Sequence, residues 1–256
     1  MFSVSDSRRA LPLPAFALAG LLFAAQASAE DAVVMIGIES ATGPATVSRY
    51  RLTEYLRTRG CEAEIRVGAT DPGLALAFLP GISGDAAPIL TAINRDGRLP
   101  VPVWVTRRTS GVRSLAELQD RDLATVAGSD PLGANLPLAA LGKQGITPEP
   151  GQLYEAGDYS SALGLLLHNN THAAVSELGF VRPFLTANSL VVSWQGDPVK
   201  AAGWYRQAGW NQSVKACEQA LAQIERADDP QMFAIFPAWV YGFARPDSQT
   251  SEDMIQ

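Results

Sequence analysis

Apolar residues in this chain come in short blocks, separated by polar segments that carry glycine and proline. Ala32 to Ile38 (AVVMIGI) is a continuous apolar run, the pattern of a strand buried on both faces of a parallel sheet. Ala45–Arg59 follows with helical spacing and stops at Gly60. Ala63–Val67 and Leu74–Leu79 read as two more strands, Pro88–Arg95 as a polar helix, and Leu99–Thr106 as a fourth strand. Pro100 and Pro102 place that fourth strand at an edge or a crossing, because proline has no N–H to give to a ladder.

The pattern then repeats. Ser114 and Glu117 form a capping box at the start of a short helix, and Asp122–Ala127 reads as a buried strand. The loop Ser129–Asn135 leads into a helix over Leu136–Gln144 closed by Gly145. Next come strand Gln152–Glu155, helix Ser160–His168, strand His172–Ser176, a helical turn at Phe180–Leu185 and strand Leu190–Trp194. Lys200–Tyr205, Gln212–Arg226 and Pro230–Phe243 read as helices, before a polar tail from Pro246. This alternation predicts an α/β protein whose mainly parallel sheets are covered by helices.

The first 29 residues stand apart from that pattern. Arg8 and Arg9 form a positive start, Leu11–Ala25 is apolar, and Ala27-Ser28-Ala29 has the small-residue form of a cleavage site before Glu30. This grammar predicts a signal peptide over residues 1–29 and export to the periplasm. Ser7-Arg8-Arg9 also suggests the twin-arginine route, which Pro12 and Pro14 fit poorly, so the route stays open. Cleavage would remove Asp6, Arg8 and Arg9 and take the formal charge from −6 to −7. An acidic chain of this kind excludes nucleic acid as a partner and gives no overall field to attract an anion, which would need a local site.

The two cysteines, Cys61 and Cys217, are far apart in sequence, and an oxidising compartment permits a disulfide between them. Cys217 nevertheless shares helical spacing with Trp210, Val214, Leu221 and Ile224, which predicts two cysteines that are mainly core residues. With two histidines, no HExxH and no CxxC, a metal is not expected, nor is any cofactor. There is no G-x-S-x-G elbow, and His168 and His172 read as structural, so the chain is not expected to be an enzyme.

The central stretch carries a family likeness. RRTSGVRSLAELQDRDLATV followed by SDPLGANLPLAALGKQGI resembles the phosphate/phosphonate-type periplasmic substrate-binding proteins, with their SGI-SL-DL segment and DP-containing loop. The likeness continues through Gly157–Leu163 and the strand His172–Val175. It implies the two-lobed type II periplasmic binding fold, with residues 30–106 plus 196–256 in lobe 1, residues 107–195 in lobe 2, and a ligand cleft between. It also implies a monomer that captures a small anionic, phosphate- or phosphonate-like solute for the membrane permease of an ABC importer. The alternative is a binding protein that serves a membrane sensor kinase or enzyme instead.

On this reading the candidate ligand residues are those where strands feed loops. Ser129, Gly133, Ala134 and Asn135 precede one helix, and Tyr159, Ser160 and Ser161 another, so backbone amides there can meet an anion. Ser40, Thr42 and Tyr50 flank the first strand–helix junction, Arg107 sits at the expected lobe crossing, and Glu177 is placed to meet an amine. The family's hydroxyl residues are replaced here at Leu132–Asn135, and its usual histidine by Tyr159. Each candidate also has a plain structural role: turns at Ser40 and Thr42, caps at Asn135, Asp158 and Ser160, a solvated pair at Arg107 and Arg108, and a loop carboxylate at Glu177.

Overall fold

The computed structural model describes residues 33–39, 45–68, 73–81, 87–207 and 209–246. The proposed signal peptide, Ser40, Thr42 and the polar tail beyond 246 lie outside them.

Two mixed sheets organise the fold. The first contains β1 (Val34–Ile38), β2 (Ala63–Val67), β3 (Leu76–Pro80), β4 (Leu90–Ile93), β10 (Ala202–Arg206) and β11 (Gly242–Ala244), in the order β11-β4-β10-β3-β1-β2. The second contains β5 (Pro102–Arg107), β6 (Leu123–Val126), β7 (Leu153–Ala156), β8 (Ala173–Glu177) and β9 (Leu190–Gln195), in the order β7-β6-β8-β5-β9. The chain thus leaves the first sheet after β4, builds the second, and returns for β10 and β11.

The pairing is less parallel than the sequence pattern predicts. β1 pairs in parallel with β2 and β3, and β6 with β7 and β8. The strands at the two passages between sheets, β5 and β10, pair antiparallel with both their neighbours. A helix-crossover reading cannot see this, because the antiparallel partners are remote in sequence.

Three segments read as helices are not. Residues 90–93 and 202–206 are the strands β4 and β10, and the Pro230–Phe243 segment contains a 3-10 turn at Met232–Ile235 and the strand β11. β4 and β10 lie inside the first sheet with nearly every residue buried, where β-branched and aromatic side chains pack best. β5 is also interior rather than an edge. Its Pro102 is the first residue of the strand, a position where a missing N–H is tolerated.

The helices are α1 (Thr46–Arg57), α2 (Asn135–Lys143), α3 (Tyr159–Leu167), α4 (Leu178–Ala187) and α5 (Gln212–Leu221). α1 packs on β2 and the Met232–Ile235 turn, α5 on β1, and α3 on β6 and β8. The capping box at Ser114 and Glu117 is present, opening a 3-10 turn over Leu115–Leu118. Phe78, Trp204, Phe233, Phe236 and Phe243 form an edge-to-face aromatic cluster against the first sheet, with Phe78 and Phe236 4.9 Å apart.

Cys61 and Cys217 are buried, as their spacing predicts, but they are joined in a disulfide rather than present as two thiols. It ties the segment between α1 and β2 to α5, and both ends belong to the first sheet's layer. Trp210 leaves the apolar stripe assigned to it: it precedes α5, is 54% exposed, and lies under the Lys215 ammonium.

Candidate functional site

The parallel strands of the two sheets end facing one another. Glu39 follows β1, and Leu79-Pro80-Gly81 closes β3; opposite them, the loop after β6 presents Ser129, Pro131 and Asn135. Together these residues line an open cleft of about 410 Å³. Ligand sites in α/β sheets commonly lie beyond the carboxyl ends of strands, and this cleft has that position. The two walls touch: the Ser129 hydroxyl donates to Glu39 Oε1 at 2.7 Å. A Cβ on Gly81 would come within 3.2 Å of the Ser129 carbonyl oxygen, so the walls approach closely there too.

The loop 129–135 is held largely by its own backbone. Gly133 donates to the Asp130 carbonyl at 3.0 Å and accepts from the Val126 N–H at 2.8 Å, while Leu136 donates to the Pro131 carbonyl at 3.0 Å. A side chain at Gly133 would place Cβ 2.9 Å from Val126 Cβ, so glycine is needed for packing and its amide is engaged internally. α2 begins with Ala134 as N-cap, which supplies no side-chain cap, and Asn135 is its exposed first residue. The first-turn amides of a helix have no intrahelical acceptor, so Ala134 and Asn135 are the positions of this loop best suited to an anion.

Asp130 anchors the loop from behind. Its Oδ1 accepts the Leu132 N–H at 3.0 Å, and its Oδ2 accepts the Tyr159 hydroxyl and the Trp239 indole N–H, each at 2.7 Å. Burial pushes the Asp130 carboxyl above its usual range; the three donors oppose that rise and nearby Glu177 adds to it. Burial, then the Asp130 charge, pushes the Tyr159 hydroxyl well up, which keeps it a donor.

Several sequence candidates are occupied elsewhere. Tyr159 is buried with its hydroxyl on Asp130. Ser160 and Ser161 are exposed at the start of α3, where the Asp158 carboxylate caps the Ser161 N–H at 2.7 Å and would repel an anion. Arg107 donates from Nε to the Leu166 carbonyl at 3.0 Å and also bonds the Leu167 carbonyl, so its guanidinium closes the C-terminus of α3. Tyr50 is 66% exposed on α1 and is not among the residues lining the cleft.

Glu177 is neither a ligand amine's partner nor a solvated loop carboxylate. It is fully buried, caps α4 through the Phe180 N–H at 2.8 Å, and accepts from Asn94 and from the Val101 N–H at 2.8 and 3.1 Å. Sequence reading misses Glu39, the Leu79–Gly81 corner and Asp130. The SDP segment kept Asp130 in view, but its third donor, Trp239, lies 109 residues away with no local signal.

The described residues that line the cleft include no histidine or cysteine. His172 Nδ1 accepts the Asp122 N–H at 3.1 Å, and His168 is the exposed C-cap of α3. Among the described residues no cluster of His, Cys, Asp and Glu could hold a metal, and no helix is long and apolar enough to cross a membrane.

Compared with known families, residues 83–250 match the family described as ABC transporter, phosphonate, periplasmic substrate-binding protein. The chain belongs to that family. Among solved structures, this substrate-binding protein resembles a Xanthomonas citri protein bound to ATP, with 19% identity and a TM-score of 0.57 over 86% of this chain and 94% of that one. It also resembles a binding-protein component of a Pseudomonas aeruginosa ABC phosphonate transporter, with 14% identity and a TM-score of 0.56 over 86% and 84%. At these identities the likeness shows the fold, the type II periplasmic binding fold. No curated protein matches the chain.

Proposed function

We propose that this substrate-binding protein captures a small oxyanion-bearing solute, phosphonate- or phosphate-like, in the cleft at the strand ends and passes it to the permease of an ABC importer. The observation that carries this reading is the facing of Ser129, Pro131 and Asn135 by Glu39 and Leu79–Gly81 across that cleft. The uncapped start of α2 supplies the Ala134 and Asn135 amides and the positive end of a helix, and Asn135 supplies a side-chain donor. Of the candidates named from sequence, Ser129, Ala134 and Asn135 are the ones we retain; Ser40 and Thr42 lie outside the described residues.

Glu39 shapes the solute. It is the one formally charged residue among those described as lining the cleft, so it repels a bare dianion and accepts from a hydroxyl or ammonium. A phosphonate that also carries a donor group suits both walls better than inorganic phosphate does.

The two lobes of this reading are the two sheets with their helices, closing over solute about the passages between them. We draw the first passage between Asn94 and Pro102 rather than after Thr106, because β5 already belongs to the second sheet. The protein acts as a monomer, without catalysis, in the periplasm after cleavage at Ala29. Calorimetry with methylphosphonate, aminoethylphosphonate and phosphate tests the reading. Asn135→Asp should weaken binding of the preferred solute by roughly 2 kcal/mol while leaving stability nearly unchanged. Equal affinity would reduce the loop to a turn.

A further inference from the structure

The Asp130 carboxylate collects its donors from both sheets' layers, and they are not equivalent. Leu132 and Tyr159 stand with Asp130 in the second sheet's half, one in the same loop and one opening α3. Trp239 does not. It precedes β11 of the first sheet, and Arg226 pins its segment there by donating to the carbonyls of Pro237 and Val240 at 3.0 and 2.7 Å.

We propose that the Asp130–Trp239 hydrogen bond is a latch: it holds the loop 129–135 against the first sheet's half, and it must break for the cleft to open. On separation, Leu132 and Tyr159 travel with Asp130, so the carboxylate stays partnered, while the indole N–H is released to water. That makes this bond removable without stranding a charge. It is also buried and charge-assisted, whereas the neighbouring Ser129–Glu39 bond joins exposed groups and holds the walls less firmly. The Asn94–Glu177 bond and the Arg182–Asp96 ion pair also join the two halves, but they sit at the passage, where Val101 also meets Glu177, and there a hinge turns without parting. Trp239 is therefore a positioning residue for the solute loop.

The inference rests on the solute-binding reading only for the loop's role, and its test needs no solute. Indole N–H exchange with solvent is followed by NMR in the intact protein. Trp104 is the internal reference: it is equally buried, and its indole donates to the Pro137 carbonyl within the second sheet's own layers. A latch that opens without unfolding makes the Trp239 indole exchange about tenfold or more faster than that of Trp104. Equal rates would mean that the Asp130 bond breaks only on global unfolding, and the latch would be overturned. Solution X-ray scattering on Trp239→Phe and Tyr159→Phe gives an independent readout. Trp239→Phe, which keeps the ring and loses the donor, should expand the solute-free protein, and Tyr159→Phe should not. Expansion in both, or in neither, would overturn the proposal. Failure of methylphosphonate to bind would leave these results standing and count against the solute reading alone.

Discussion

Glu177 accepts the Asn94 side-chain amide at 2.8 Å, a buried bond from the residue that ends β8 in the second sheet to the one that follows β4 in the first. The same carboxylate takes the Val101 N–H, in the passage between the sheets, and the Phe180 N–H at the start of α4. One side chain thus fixes a helix start, a strand end and a crossing segment. Glu177→Ala should destabilise the protein by about 3 kcal/mol, since three donors, two of them in buried bonds, lose their acceptor at once. Urea unfolding reads this, and a loss within error of zero would show that water replaces the carboxylate freely.

Arg107 makes a contrasting case. Its guanidinium closes α3 at the carbonyls of Leu166 and Leu167, away from the residues that line the cleft. Arg107→Ala should cost about 1 kcal/mol of stability through the lost helix-end charge and hydrogen bonds. Solute affinity should stay at the wild-type value in calorimetry; a loss of binding without a loss of stability would return Arg107 to the site.

The disulfide between Cys61 and Cys217 should be found in the exported protein by peptide mapping after alkylation without reductant. Replacing both cysteines with alanine should lower stability by about 2–5 kcal/mol. Intact free thiols on both residues would contradict the structure.

Asp130 should leave a mark on the pH dependence of stability. Burial raises its native pKa above the ordinary 3.8, although the Tyr159, Trp239 and Leu132 donors oppose this. The native state therefore holds this proton more tightly than the unfolded chain does. The stabilisation is fully present below the unfolded pKa and is lost as pH rises through the native one. Asp130→Asn cannot show that dependence, so its cost relative to wild type should be larger at pH 4 than at pH 7 by urea unfolding. A larger cost at pH 7 would mean that the charged form is the one the donors favour.

Much of the fold is legible in short-range pattern. The runs at Val34–Ile38 and Leu123–Val126, the capping box at Ser114 and the stop at Gly60 are local signals, and each lands within a few residues of its element. The strands β4, β10 and β11 escape, because Leu90–Ile93, Ala202–Arg206 and Gly242–Ala244 are strands only by pairing with one another across more than a hundred residues. Their short apolar stretches have no period that separates a strand from a turn of helix. The site divides in the same way. The loop 129–135 and the junction after β1 could be found from their places between a strand and a helix, but the Leu79–Gly81 corner and the indole that anchors the loop could not. Arg107 and Glu177 look functional in sequence because they are charged residues at strand ends. Their burial against helix termini, which decides the matter, is a tertiary fact.

The Cys61–Cys217 bond also makes the chain a ring. Its two sulfurs are 156 positions apart, and the segment between them contains β2, β3 and β4, all five strands of the second sheet, and β10. Both closing points lie on the first sheet's side, so the second sheet hangs on a covalent circle whose ends are already fastened together. A single cut anywhere on that circle, in an exposed loop such as the one after α2, leaves one molecule and not two. The ends of the inserted half are also kept near each other in the unfolded chain, so the order in which the sheets form is not set by the search of a free C-terminal segment for its place.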